Sequence, residues 1–316
     1  MSTAATVPET RDLEGDDAVE TLRAVGFGGL LSDSLMRFRF ADGFSHSRAL
    51  AFQFTLTLVP ALIALVGLAH ELGQEDFSRI LTQTIGDLAP GPAGEVLTQA
   101  ISRDAAEDSG GTALFFGLVA ALVAGATAMG QIERGSNRIY GVERDRPTLA
   151  KYTRATLLAL TAGVASVLAL VLMVAGSEIG AAAKDVTGWS SALDTAWSVG
   201  RWPLGALLVA GAIALLFLTC PRRDQPSFSW LALGSSIAVL LWFAFTGLLA
   251  AYIGLSQDFG ETYGPLAGLI GLLLWTFGTA LALFLGLSVA AQLEAVRAGE
   301  PDPSRAKAIE NRFSGA

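Results

Sequence analysis

Six long stretches of this sequence contain no Asp, Glu, Lys or Arg, and they constrain its fold more than any other feature. They cover residues 49–69, 112–131, 155–176, 203–219, 229–253 and 265–292. A membrane-spanning helix needs roughly 20 such apolar residues, and one soluble core is too small to bury six of them. Only 16% of the residues are charged, against about 25% in soluble domains. The sequence therefore predicts an all-α, polytopic membrane protein with six transmembrane helices.

The distribution of basic residues predicts the orientation. Both tails and the second and fourth connecting segments carry 17 of the 21 Lys and Arg residues, and the other connections carry four. Because basic segments stay on the cytoplasmic side during insertion, we expect both termini to be cytoplasmic.

Outside the transmembrane domain (25–298), the acidic residues 1–24 and the polar residues 299–316 predict disordered tails. In the outer connection 70–111, apolar residues at helical spacing around a Pro-Gly-Pro turn predict two short amphipathic helices. Leu30 to Phe44 resembles an interfacial helix that leads into the first span.

Glycines in the last span recur at helical spacing and form one narrow stripe. They are Gly264, Gly268, Gly271, Gly278 and Gly286. Small residues in such a stripe let another helix approach closely in lipid. The stripe is consistent with packing within one chain or in a homo-oligomer. The first two spans also carry polar residues: Gln53, Thr57 and Gln131. These side chains could pack one helix against another or line a polar path.

Three motifs carry a resemblance to a known family. They are SRALAFQFTLTLVPALIALVGLA (47–69), SNRIYGVERDRP (136–147) and YGPLAGLIGLLLWTFGTALALFLG (263–286). Together, and in this order, they resemble the YihY/BrkB family of bacterial membrane proteins. The resemblance implies six spans, cytoplasmic termini and an inner-membrane location. Members of this family were long labelled ribonuclease BN, some are associated with virulence or serum resistance, and transport or lipid handling has been proposed for them.

The last span departs from the family pattern, which usually ends with an acid-containing stretch. This chain has GLSVAAQLEA there, with Ser288 and Gln292 at the positions of the acids and Glu294 nearby. A mechanism that needs carboxylates at those positions is therefore not expected here.

The residues do not favour a nuclease or any other enzyme. His46 and His70 lie at opposite ends of the first span, roughly 36 Å apart at about 1.5 Å per residue. Cys220 is the only cysteine, and no phosphate-binding loop or metal-ligand spacing occurs, so we expect no cofactor. Near the basic loop, Glu133, Glu143 and Asp145 are expected to pair with Arg138, Arg144 and Arg146.

The interpretation that we favour is the binding or movement of an anionic lipid or envelope component, with membrane lipids and not nucleic acid as partners. Arg48, Arg134 and Arg138 are the predicted headgroup contacts, with Gln53, Thr57 and Gln131 above them. A small-solute transporter or channel and a membrane scaffold or regulator remain alternatives. No span contains an ionisable group, which disfavours proton coupling. Na⁺ could still bind where a helix breaks, and Pro60 and the Gly-rich last span are candidate breaks.

The predicted orientation can be tested with alkaline phosphatase fusions, because this enzyme needs disulfides that form only outside the cytoplasm. A fusion after Asp108 should be active, and fusions after Asp224 and Ala316 should be inactive. The reverse pattern would place the termini outside and contradict the prediction.

Overall fold

A computed structural model of the chain describes residues 3–71, 110–174, 176–177, 180–181, 184, 188–255 and 267–306. Two short helices precede the long ones: α1 (Gly15–Val25) and α2 (Phe27–Phe40). The long helices are α3 (Gly43–Glu71), α4 (Gly110–Ile139), α5 (Thr148–Leu158) continued through a π-helical turn (Ala159–Gly163) into α6 (Val164–Val174), α7 (Ser191–Thr219), α8 (Phe228–Leu255) and α9 (Ala267–Arg297).

Within these residues the structure confirms six helices that are long and apolar enough to cross a membrane. The third is built from α5, the π-helical turn and α6. Several helices continue past the predicted spans, and α4 ends at Ile139 rather than at residue 131. A helix can continue past the edge of the bilayer into water, where charged residues are tolerated. Charge-free runs therefore mark only the lipid-embedded part of each helix.

Helix α3 runs without a break through Pro60. The predicted break at this residue is therefore absent, and no unwound backbone offers carbonyl ligands there. Proline is tolerated inside membrane helices because neighbouring helices and side chains satisfy the freed carbonyl groups.

Close backbone approach joins α3 to α4, the most extensive helix pair in the described chain. A Cβ atom on Gly117 would lie 2.6 Å from the backbone nitrogen of Ala64, and one on Gly67 would lie 2.5 Å from that of Leu114. Only glycine permits this approach at both positions. Lipid supplies no hydrophobic force between helices, so such van der Waals packing takes its place.

The glycines of the last span pack against α8. A Cβ on Gly278 would overlap the ring of Phe245, and one on Gly286 would lie 2.6 Å from both Ala238 Cβ and the Gly234 carbonyl oxygen. Gly271 also lies beside α8, with more room, and Gly268 is exposed near the start of α9. Gly264 lies outside the described residues. Gly271, Gly278 and Gly286 thus serve contacts within one chain.

The first and last described segments lie together at one end of the bundle, where Ala4 and Ser304 form an isolated antiparallel bridge. The loops 140–147 and 220–227 lie at the same end, since Arg222 Nη1 donates to the Asp145 carbonyl at 2.8 Å. We call this the basic end. It unites the segments that the charge distribution placed on one side.

The sequence predicts disorder for 1–24 and 299–316, but the described parts of both tails are ordered. Ala4, Ala5 and Val7 are buried, α1 begins at Gly15, and the backbone of Thr3 bonds to Phe40 and Arg305. Low hydrophobicity suggested disorder, but small side chains let this backbone run against other segments and bond to them.

Helix α2 lies within the stretch expected to form an interfacial helix. It buries Leu30, Ser34, Arg37 and Phe38 while Leu31 and Leu35 stay exposed. The amphipathic helices expected in 70–111 lie almost entirely outside the described residues.

The glycine contact between α8 and α9 predicts that Gly286→Ala is destabilising. The new methyl meets the Gly234 carbonyl, which cannot rotate away, and overpacking of this kind costs about 1 to 3 kcal/mol. The thermal midpoint of the purified protein in detergent measures the effect. Gly211→Ala is the control, because nothing lies within 4 Å of a Cβ there. Equal midpoints for both variants would contradict the packing role.

Candidate functional site

A polar seam runs between α3 and α4 and contains three of the predicted site residues. Gln131 Nε2 lies 3.1 Å from His46 Nδ1, and Thr127 donates its hydroxyl to Gln53 Oε1 at 2.9 Å. Thr57 instead donates to the Gln53 carbonyl of its own helix at 2.8 Å, with its methyl group near Gly125. Helices α3 and α4 are therefore joined by hydrogen bonds as well as by glycine contacts.

The predicted headgroup residues have different surroundings. Arg138 donates to the carbonyl oxygens of Val142 and Glu143 at 2.6 and 2.9 Å, so it holds the loop after α4. Arg134 is 53% exposed and lies 3.5 Å from Asp145. Arg48 is exposed at the start of α3 and donates to Ser45. Arg134 and Arg48 thus keep charge available to a ligand, whereas Arg138 is a structural clamp.

Asp145 organises the basic residues of this loop. Arg134, Arg138 and Lys151 lie 3.5 to 3.8 Å from its carboxylate, and Asn137 donates to it at 2.9 Å. Burial alone would raise the pKa of Asp145, but the Asn137 hydrogen bond and the three cations lower it overall. The carboxylate therefore stays ionised and offsets part of the positive charge.

Arg146 joins the same loop to the end of α7. It pairs with Glu133 at 3.1 Å and donates to the Cys220 and Pro221 carbonyl oxygens at 2.6 and 2.8 Å. These carbonyls have no partner within helix α7, and the positive charge of Arg146 beside them also complements the negative end of the α7 dipole. The expected pairs Asp145–Arg138 and Glu133–Arg146 are present, while Glu143 pairs with Arg305.

An open groove of about 310 Å³ lies between α4 and α5. Its lining is Leu122, Val123, Ala126, Thr127, Tyr152 and Thr156. Val123 is 62% exposed, so the groove opens to the surroundings of the bundle. The same α4 face continues through Gly130 to Arg134, since these positions follow at helical spacing. Lys151 passes its stem over Gly130 and reaches Asp145.

A second polar cluster at the basic end is built around a buried ion pair. The guanidinium of Arg223 binds both carboxylate oxygens of Glu294, at 2.7 and 3.0 Å, and these side chains are 3% and 0% exposed. Thr10 donates its hydroxyl to Glu294 at 2.6 Å, and the Tyr140 ring lies 4.5 Å from the Arg223 guanidinium carbon. The ion pair therefore ties together the loop before α8, the end of α9 and the N-terminal tail.

Arg37 brings a second buried guanidinium into this cluster. Its Nε donates to Gln292 at 2.7 Å, and its Nη1 donates to the carbonyls of Ala5 and Ile139 at 2.9 and 3.3 Å. Burial lowers the pKa of Arg37 to about 10, which still leaves it charged at neutral pH. Gln292 thus accepts a hydrogen bond from Arg37 without neutralising its charge.

Sequence reasoning missed this buried cluster. One signal was available, because Glu294 is the first charge after the long apolar run of the last span and a buried acid needs a cation. Its partner could not be chosen among the many arginines of the basic segments.

The described residues contain no group of three or more His, Cys, Asp or Glu side chains placed to hold a metal ion. Cys220 is buried, which raises the pKa of its thiol to about 12 and keeps it protonated. The polar clusters described at the basic end join basic side chains to carboxylates, amides and backbone carbonyls.

Six apolar helices with a basic end that gathers both termini define a multi-pass membrane protein of the six-span type. Residues 34–310 match the family Virulence factor BrkB, and the chain belongs to that family. The resemblance of the three sequence motifs is thereby confirmed. The N-terminal tail and α1 lie outside the matched region.

Two relatives agree with this family. The ribonuclease-like protein YfkH of Bacillus subtilis (strain 168) is 28% identical over 265 residues, which cover 83% of this chain and 94% of YfkH. A UPF0761 membrane protein of Rhodospirillum centenum (strain ATCC 51521 / SW) is 26% identical over 279 residues, which cover 86% of this chain and 59% of that protein. No solved structure matches the chain.

The buried ion pair predicts a large loss of stability for Glu294→Gln, because Arg223 keeps a buried charge without its partner. Breaking a buried pair costs about 3 to 5 kcal/mol, whereas replacing both partners by apolar residues costs much less. The double variant Arg223→Met/Glu294→Leu should therefore have a higher thermal midpoint than Glu294→Gln. The exposed pair Arg305–Glu143 supplies the control, Glu143→Gln, which should leave the midpoint almost unchanged. A double variant no more stable than the single one would contradict this account.

Proposed function

We propose that this protein binds an anionic lipid in the groove between α4 and α5 and moves it across the bacterial inner membrane. The observation that carries the proposal is the open groove, whose α4 face leads at helical spacing to the exposed Arg134, with the Lys151 stem lying over the buried Gly130 between them. An acyl chain needs an apolar channel open to lipid, and a phosphate headgroup needs a cation at the end of that channel.

The length of this face supports the proposal. Leu122 and Arg134 are twelve residues apart, about 18 Å along a helix. One leaflet contributes about half of a hydrocarbon core that is about 30 Å thick. A lipid in one leaflet could therefore place its phosphate near Arg134 and its chain along Val123 and Thr127.

Charge at the headgroup end favours an anionic lipid. Asp145 offsets part of the charge of Arg134, Arg138 and Lys151, so the cluster keeps a net positive charge. Arg138 is committed to loop carbonyls, which leaves Arg134 as the proposed headgroup contact, with Arg48 as a second contact on α3.

No part of this mechanism requires catalysis, and we propose that the protein is not an enzyme. YfkH is named ribonuclease-like, but phosphodiester cleavage calls for positioned acid and base groups or bound metal ions. Among the described cytoplasmic acids, Glu133 and Asp145 are held by cations that fix the loops.

Transbilayer movement of fluorescently labelled phosphatidylglycerol in proteoliposomes tests the proposal. The wild-type protein should accelerate it over protein-free vesicles, and movement of labelled phosphatidylcholine should be slower. Arg134→Ala should slow phosphatidylglycerol by about fivefold, since a basic residue at an anionic surface contributes about 1 kcal/mol. Thr156→Trp should slow both lipids by filling the groove.

Arg39→Ala is the matched control, because Arg39 is an exposed arginine of α2 at the same end of the bundle. It should leave both rates unchanged. Movement no faster than in protein-free vesicles, or equal loss in Arg39→Ala and Arg134→Ala, would overturn the proposal.

A further inference from the structure

The N-terminal segment 3–10 covers the two buried arginines of the basic end and supplies ligands to both. Arg37 Nη1 donates to the Ala5 carbonyl at 2.9 Å, and Arg223 Nη2 donates to the Pro8 carbonyl at 2.9 Å. Thr10 adds a hydroxyl to Glu294. Carbonyl oxygens of the segment therefore lie where the oxygen atoms of a bound ligand would contact the two guanidinium groups.

The hydrogen-bonding capacity of these arginines is not filled. Arg37 Nη2 and Arg223 Nε are buried and have no hydrogen-bond partner among the described residues. An unpaired buried donor on a charged group is costly. Peptide carbonyls are neutral acceptors, whereas an oxyanion would accept several such bonds and neutralise charge.

The charge balance of the cluster also favours an anion. Arg37 and Arg223 hydrogen-bond to one carboxylate, that of Glu294, because Gln292 is the neutral partner of Arg37. Asp33, four residues before Arg37 on α2, adds a weaker attraction than Glu294 does. The two guanidinium groups leave an excess positive charge in a buried place. Burial lowers the pKa of Arg37, because desolvation disfavours its charged form.

The segment is attached mainly through its backbone. Ala5 and Val7 donate their amide groups to the carbonyls of Pro303 and Tyr140 at 2.9 and 3.2 Å. Of its side chains, the buried apolar ones are small: Ala4, Ala5 and Val7. Such a segment buries little apolar surface, so its release requires far less free energy than opening the helix bundle.

The covered site and the covering segment differ in their relation to the family. Arg37, Arg223 and Glu294 lie within the residues that match the BrkB family, and segment 3–10 lies before them. The arginine pair thus lies within the matched region, and the covering segment lies before it.

We propose that Arg37 and Arg223 form an oxyanion-binding site of the phosphate type, which segment 3–10 occupies as an internal competitor. Release of the segment exposes the two guanidinium groups, and a phosphate oxyanion then binds them in place of the Ala5 and Pro8 carbonyls. The site is separate from the α4–α5 groove and does not depend on lipid movement. Its ligand is either a soluble phosphate or a phospholipid headgroup.

The first test compares the full chain with a variant lacking residues 2–10, both purified in detergent, by isothermal titration calorimetry. The probes are inorganic phosphate and short-chain dihexanoyl-phosphatidylglycerol, so the two arms separate a soluble ligand from a headgroup. Deletion should tighten binding of at least one probe by about tenfold or more, the effect expected of one charge-assisted hydrogen bond. A synthetic peptide of residues 2–10 should compete with the probe.

Substitutions in the deletion background assign the site. Arg37→Gln should abolish the gain in affinity, and Arg39→Gln, an exposed neighbour on α2, should retain it. Equal affinity of the full chain and the deletion variant, or a gain that survives Arg37→Gln, would overturn the proposal.

Hydrogen exchange on the full chain keeps the test valid if the deletion variant does not fold. The amide groups of Ala5 and Val7 are protected by their bonds to Pro303 and Tyr140. Saturating phosphate or short-chain lipid should speed their exchange, whereas chloride at equal ionic strength should not. Unchanged exchange with both probes would show that the segment does not yield to an oxyanion.

Discussion

The buried ion pair between Arg223 and Glu294 is the interaction on which the organisation of the basic end depends. An isolated charge in so buried a place would be prohibitively costly, so the carboxylate at the end of α9 requires the guanidinium from the loop before α8. The Thr10 hydroxyl and the Pro8 carbonyl add further hydrogen bonds to the pair. The position of the N-terminal tail follows from this requirement.

The rest of the bundle is held together by a different force. Between α3 and α4, and between α8 and α9, glycines let the helix backbones approach to distances that a Cβ atom would forbid. Packing of this kind is short-ranged and fixes the helices relative to one another. Hydrogen bonds hold the peripheral tail, and these can exchange with water or with a ligand. The molecule thus combines a fixed membrane core with an end that can exchange its contacts.

The sequence predicts the six spans well because lipid imposes a rule that acts locally: about 20 residues without charge. Contacts between distant residues follow no such local rule. Thr10 and Glu294 are 284 positions apart, and nothing in either local sequence selects the other. The acidic tail suggested disorder because composition does not reveal that Ala4, Ala5 and Val7 fit between other segments. Sequence spacing also cannot tell whether Arg138 donates its hydrogen bonds to a phosphate oxygen or to a carbonyl oxygen of its own loop.

Burial makes the two sets of cations at the basic end suited to different ligands. Arg134 is half exposed, so salt screens its attraction over about 8 Å at physiological ionic strength, and the lipid contact proposed for it would exchange readily. Arg37 and Arg223 are shielded from water, which strengthens each hydrogen bond that they donate. Their apparent affinity, however, is reduced by the small fraction of molecules in which segment 3–10 is displaced. Arg134 therefore suits transient contact with an abundant lipid, and the covered pair suits a ligand that must first displace the N-terminal segment.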